Sequence, residues 1–167
     1  MPLLQYAARG MQMSDVNEDR PPAHRKPGNT TSQVLVIEDN LLSLKMLRAI
    51  ITAEGHGVLE ATTGSQGLEL AYQHHPDLII TDIRLPDISG LEVIQTLKSR
   101  NDTADIPVLG TSAHAAVGGD AIQTGGCDAF MQKPISISKF VLTLRSLLDR
   151  VICLGEADNS IDAPIMS

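Results

Sequence analysis

The sequence predicts an α/β domain: one parallel sheet of five strands with helices on both faces. Three observations predict it. Short apolar runs alternate with segments of helical length five times between residues 32 and 152. The strongest of these runs are continuously apolar, as strands covered on both faces require. Alternating βα units build a parallel sheet, since each helix carries the chain back to start the next strand.

The elements follow in order. Val34-Leu35-Val36-Ile37 is the first strand and ends in Glu38-Asp39-Asn40. A helix is expected from Leu41 to about Glu54, closed by Gly55. Val58 to Ala61 is a short second strand. Ser65 to about His74 is a second helix, stopped by Pro76. Leu78-Ile79-Ile80-Thr81 is the third buried strand and delivers Asp82 at its end. Leu91 to Arg100 is the third helix and Val108 to Ser112 the fourth strand. Gly119 to Thr124 reads as a weak fourth helix, flanked by Gly118, Gly125 and Gly126. Ala129 to Gln132 is the fifth strand and Ser138 to Ile152 the fifth helix.

Residues 1–31 carry Pro2, Pro21, Pro22, Pro27 and Gly28 without apolar periodicity, which predicts a flexible leader. Residues 153–167 are expected to be a short tail, leaving 32–152 as the domain. At about 100° per residue, the first helix is expected to bury Ser43, Leu47, Ile50 and the stem of Glu54, flanked by Met46 and Ile51. Leu41, Leu42, Lys45, Arg48 and Ala49 then face outward.

Composition narrows the function. The formal net charge is −7, and the one basic cluster (Arg20, His24, Arg25, Lys26) sits in the Pro-rich leader. A nucleic-acid backbone needs a basic face, so no nucleic-acid partner is expected. With two Tyr, two Phe and no Trp, stacking platforms for bases or flavins are lacking. Cys127 and Cys153 have neither metal-ligand nor disulfide-framework spacing, and Cys127 reads as a small core residue. No secretory signal and no long apolar run appears, so a cytoplasmic protein without membrane contact is expected.

Chemistry gathers at four strand ends. The first strand ends in Glu38 and Asp39, the third in Asp82, the fourth in Ser112, and the fifth in Lys133 followed by Pro134. Singly, each has an ordinary explanation: an Asp after a strand caps a helix, and Lys-Pro makes a turn. Together, at the carboxyl edge where open parallel sheets carry their ligands, they describe a site. Three carboxylates repel one another and favour a hard divalent cation such as Mg²⁺. One carboxylate can then act as a nucleophile towards phosphorus, while Lys133 and the Ser112 hydroxyl hold the phosphoryl oxygens.

VLVIEDN, DLIITDIRLPDISGLEVIQTLK, IPVLGTSAHA and GGCDAFMQKPIS resemble the receiver domain of two-component response regulators, over about Gln33 to Arg150. Within that family, DISGLEV, GGCDAF and KPIS are most similar to the stand-alone DivK type. The resemblance implies a CheY-like, flavodoxin-like fold with strand order 2-1-3-4-5. It assigns the phosphoacceptor to Asp82 and Mg²⁺ binding to Asp39, Asp82 and the backbone carbonyl of Arg84, with Glu38 acting through water. It makes Ser112 the switch hydroxyl, Lys133 the phosphate-binding lysine, and Pro134 the residue after a cis peptide. Phe130 matches a switch aromatic, though an ordinary core Phe is the other reading. Arg84 and His114 match positions that flank the phosphoryl group and tune its hydrolysis, or simply point into solvent.

The implied partners are a sensor histidine kinase or histidine phosphotransfer protein, with a possible phosphorylation-dependent homodimer. Leu41, Leu42, Lys45 and Pro134 are the expected docking residues, unless the leucines tuck against a neighbouring loop. The chain is expected to be a single-domain phosphoacceptor and not an enzyme. A receiver fragment of a hybrid kinase or transcriptional regulator is the alternative. An Asp-nucleophile phosphatase of the haloacid-dehalogenase type needs Asp-x-Asp, and Arg84 occupies the second position. A flavodoxin-like electron carrier needs a phosphate loop and stacking aromatics, which are missing.

Overall fold

The computed structural model describes residues 31–114 and 126–156. Its five strands are β1 (Gln33–Ile37), β2 (Gly57–Ala61), β3 (Leu78–Asp82), β4 (Val108–Ser112) and β5 (Ala129–Gln132). Its described helices are α1 (Leu41–Ala53), α2 (Gly64–His74), α3 (Gly90–Lys98) and α4 (Ile137–Glu156). The strands form one sheet in the order β2-β1-β3-β4-β5, every pair parallel. The order reverses between β1 and β3, so the loops leaving these two strands diverge to opposite faces and open a crevice at the sheet's carboxyl edge.

Strand alternation explains the two cores. Val34, Val36, Leu78 and Ile80 point to one face, where Leu44, Leu47 and Ile51 of α1 and Phe140, Leu144, Leu147 and Leu148 of α4 cover them. Leu35, Ile37 and Ile79 point to the other, beneath Ala71 of α2 and Val93, Ile94 and Leu97 of α3. β1 is therefore apolar from Val34 to Ile37 and β3 from Leu78 to Ile80, because both faces of each strand are buried.

Helix ends follow local chemistry. Asn40 caps α1, its side chain accepting from the N–H groups of Leu42 (3.1 Å) and Ser43 (3.0 Å). Gly55 follows α1 at φ +86°, a conformation that favours glycine. Ser89 and Glu92 form a reciprocal cap on α3. Lys98 at the end of α3 donates to the carbonyls of Ala104 (3.1 Å) and Ile106 (2.9 Å) and to Asp128 (2.9 Å), tying α3 to the start of β5.

Two expectations change. The buried stripe of α1 is Leu44, Leu47 and Ile51; Ser43 and Ile50 are only half-buried, and Met46 is exposed. The stripe is turned by about one residue from the expected one, because α1 packs against α4 as well as against the sheet. The last helix runs to Glu156, past the expected start of the tail at 153, since residues 151–154 contain no helix breaker before Gly155. The weak helix expected over Gly119–Thr124 lies outside the described residues, as do the leader to residue 30 and the tail from 157. Among the described residues no helix is long and apolar enough to cross a membrane.

Gly90 shows how tightly α3 is seated. A Cβ there would lie 2.1 Å from the backbone oxygen of Asp82 and 2.7 Å from the Cα of Ile83. Backbone cannot rotate aside as a side chain can. Gly90→Ala should therefore destabilise the fold by about 2–3 kcal/mol in urea unfolding. A loss below about 0.5 kcal/mol would show that α3 can shift freely.

Candidate functional site

All strands are parallel, so their carboxyl ends share one edge, and the expected residues meet there. Lys133, just past β5, donates to Glu38 Oε2 at 2.6 Å and to Asp82 Oδ2 at 2.5 Å. One ammonium thus joins the ends of β1, β3 and β5. Each carboxylate has its other oxygen on a backbone N–H: Asp82 Oδ1 accepts from Arg84 at 2.9 Å, and Glu38 Oε1 from Asn40 at 3.2 Å. Asp39 completes the group. Glu38, Asp39 and Asp82 each offer an oxygen, and these oxygens lie within 4.8 Å of one another.

Burial divides the three acids. Glu38 is 1% exposed and Asp82 8%, while Asp39 is open to solvent. Burial outweighs the hydrogen bond and charge of Lys133 and, with the neighbouring charge of Asp82, raises Glu38 above the usual carboxylate range. Burial also opposes the charge on Lys133. The hydrogen bonds and charges of Asp82 and Glu38 together overcome that effect and hold Lys133 above the ordinary lysine value. Two carboxylates share a single ammonium, so the lysine keeps its proton, and with Asp39 beside them the formal charges of the cluster call for more positive charge. A hard divalent cation would supply it, and a set of oxygen donors fits Mg²⁺.

Ser112 is fully buried at the end of β4, and its Oγ accepts from the His114 N–H at 3.1 Å. Its carbonyl accepts from the Lys133 N–H at 2.8 Å, which fixes the lysine's backbone to β4. The Lys133–Pro134 peptide is cis. Phe130 is set back from the strand ends. It pairs with Gly110, and a Cβ on that glycine would lie 3.3 Å from its ring. Leu41 and Leu42, 62% and 78% exposed, open α1 immediately after Asn40. Lys45 and Pro134 are exposed too, so all four expected docking residues lie on elements that leave the site.

Other partners were not legible in the sequence. Asp87 reaches from the β3–α3 loop to α2, where its carboxylate accepts from the N–H groups of Gly64 and Ser65, both at 2.8 Å. Hydrogen bonds from the Ser65 side chain and backbone hold it well below the usual carboxylate range. Its only signal was an acid in a loop after Pro86. Arg84 and His114, expected beside the site, meet each other: Arg84 Nη2 lies 3.2 Å from His114 Nε2.

The family described as response regulator receiver domain matches residues 34–145. The chain belongs to this family. It is 43% identical to the polar-differentiation response regulator DivK of Brucella ovis and of Brucella abortus strain 2308, over 119 residues. That match covers 71% of this chain and 97% of each relative. Solved structures share the fold. The signal receiver domain of a LuxO repressor protein from Vibrio parahaemolyticus matches at a TM-score of 0.70 and 23% identity, covering 77% of this chain and 98% of that one. Chemotaxis response regulator CheY4 of Vibrio cholerae matches at 0.66 and 21%, covering 71% and 99%. The receiver domain of sensor histidine kinase PA1611 from Pseudomonas aeruginosa PAO1, solved with magnesium in its active-site cleft, matches at 0.66 and 21%, covering 72% and 99%.

In this receiver the raised Glu38 makes a stability prediction. Below the ordinary value of 4.5 Glu38 is protonated folded or unfolded. As pH rises through its higher folded value, ionised Glu38 takes stability from the fold. Glu38→Gln should melt above the wild type at pH 7–8, by on the order of a few degrees. The gap should close towards pH 4. A variant that melts lower at both pH values would show that Glu38 is a net stabiliser.

Proposed function

We propose that this receiver is the phosphoacceptor of a two-component phosphorelay and that Asp82 is the residue phosphorylated. The observation that carries the reading is the Lys133 ammonium held between Glu38 and Asp82, with Asp39 beside them. In the transfer, an Asp82 oxygen attacks the phosphorus of a donor phosphohistidine. The O–P bond forms as the P–N bond breaks, and the imidazole leaves with its electron pair. Lys133 binds a phosphoryl oxygen and screens its charge. The Ser112 Oγ, which accepts from the His114 N–H, has its own hydrogen to donate to another.

Asp39, Asp82 and the backbone carbonyl of Arg84 would hold Mg²⁺, with Glu38 acting through water. The bound ion supplies neutralisation of charge between phosphoryl group and carboxylates. The magnesium in the cleft of the PA1611 receiver supports this assignment. The chain modifies only itself, so it is a switch and not an enzyme. DivK relatives matched over 97% of their length support a receiver that works without an attached output domain. A sensor histidine kinase or histidine phosphotransfer protein is the donor, and the exposed Leu41 and Leu42 give it an apolar seat beside the site, where water is excluded from the transfer.

Two variants test this. Asp82→Asn removes the nucleophilic oxygen and should abolish labelling by acetyl phosphate with Mg²⁺. Labelling at the wild-type rate would refute Asp82 as acceptor. Leu42→Asp places an acid in the first turn of α1, where the helix dipole favours it, so the fold should persist. It should still accept acetyl phosphate but take phosphoryl from a histidine donor roughly tenfold more slowly, as expected for losing one interface anchor. Equal rates from both donors would remove Leu42 from the docking surface.

A further inference from the structure

We infer that Asp87 is a positioning residue for the divalent cation, a clamp that fits the site to Mg²⁺ in preference to the larger Ca²⁺. This rests on the proposed reading of Asp39, Asp82 and the Arg84 carbonyl as the ligands. They come from two places, the end of β1 and the stretch from the end of β3 into the loop before α3. The start of α2 bears on both. A Cβ on Gly67 would overlap Ile37, the last residue of β1 before Glu38 and Asp39. The Glu38 N–H in turn donates to the Ala61 carbonyl, just ahead of α2, at 3.0 Å. On the loop side, a Cβ on Gly64 would lie 2.5 Å from Ile88 Cγ1. Asp87 then closes this contact, its carboxylate accepting from the N–H groups of Gly64 and Ser65, both at 2.8 Å.

Hydrogen bonding makes Asp87 the deciding part. The first turn of α2 has no acid of its own. Its Gln66 and Gly67 N–H groups are taken by Thr63, through the side chain at 3.2 Å and the carbonyl at 3.0 Å. The N–H groups of Gly64 and Ser65 go to Asp87, from another loop. An ionised carboxylate on the start of a helix makes charge-assisted bonds. The Ser65 side chain and these N–H groups keep Asp87 ionised well below the usual carboxylate range, so the clamp holds at neutral pH. Elsewhere the loop is fastened by the Arg84 N–H on Asp82 Oδ1 and the Gly90 N–H on the Ile83 carbonyl, both at 2.9 Å. With Asp87 in place, α2 spaces the Arg84 loop against the strand end that carries Asp39. Spacing is what separates the two cations. Mg²⁺ demands near-octahedral oxygens at about 2.0–2.1 Å, whereas Ca²⁺ takes a flexible shell at about 2.3–2.6 Å. Clamped loops favour the smaller ion, and loosened loops can spread around the larger one.

The test titrates Mg²⁺ and Ca²⁺ separately into the full chain without a phosphodonor. Binding is followed by NMR at the backbone amides of Asp39, Asp82 and Arg84. Asp87→Ala should weaken Mg²⁺ about tenfold, as for losing a group that orients metal ligands from outside, and leave Ca²⁺ within about threefold. Asp87→Asn, whose amide oxygen still accepts, should shift the Mg²⁺-to-Ca²⁺ ratio the same way by less. Asp102→Ala controls for lost charge. It removes an exposed carboxylate held by Arg100 at 3.0 Å, and should leave the ratio within about twofold, since a screened surface charge acts alike on two divalent ions. Amide dispersion in metal-free samples confirms that each variant folds, and the Asn variant carries the comparison if the Ala variant does not. An unchanged Mg²⁺ affinity without the Asp87 carboxylate, or an equal loss of both cations, would overturn the clamp. A wild-type chain whose three amides respond to neither cation would overturn the Mg²⁺ reading beneath it.

Discussion

One ammonium group organises this molecule's functional edge. Lys133 Nζ lies between Glu38 and Asp82, two largely buried acids that would otherwise repel each other across the crevice. Burial keeps Glu38 hard to ionise even beside the lysine, and the formal charge of the cluster stays negative. A cluster of oxygen donors of this kind fits a hard divalent cation. The features around it serve this arrangement. Backbone N–H groups of Asn40 and Arg84 fix the outer oxygens, and Ser112 anchors the lysine's own backbone.

Such a pocket is costly to the fold. Buried, under-neutralised acids lower stability, a common trade where function needs a strained or charged site. The sheet offsets that cost. β1 and β3, which carry the acids, are both interior strands, and their apolar side chains reach both cores. The loops are tightly held as well. Asp87 ties the β3–α3 loop to the start of α2, and Gly90 lets α3 rest directly on the Asp82 backbone.

The fold and the main site residues were legible because their causes are local. A run such as Leu78-Ile79-Ile80 has few ways to be apolar throughout except between two layers of helix, and a charged residue ending it must lie at the sheet's edge. Five such units in a row leave a parallel sheet as the simple solution, and the ends of parallel strands meet. The phase of α1 was misjudged by about one residue for the opposite reason. Leu44, Leu47, Ile50 and Ile51 form a broad apolar band, and which edge is buried depends on where α4 packs, a contact made about a hundred residues later.

By itself, the sequence determined the alternation of elements, the identity of the two-sided strands, and the gathering of Glu38, Asp39, Asp82, Ser112 and Lys133 at one edge. These depend on hydrophobic periodicity and on the side-chain chemistry at strand ends, both written into neighbouring residues. Only the tertiary structure decided the sharing of Lys133 between two acids, the capping of α2 by Asp87, the seat of α3 on Gly90, and the meeting of Arg84 with His114. Each of these joins residues more than five positions apart, and Lys133 and Glu38 are 95 apart. Distance and direction between such residues come from how the sheet twists and the loops close, which no local pattern encodes.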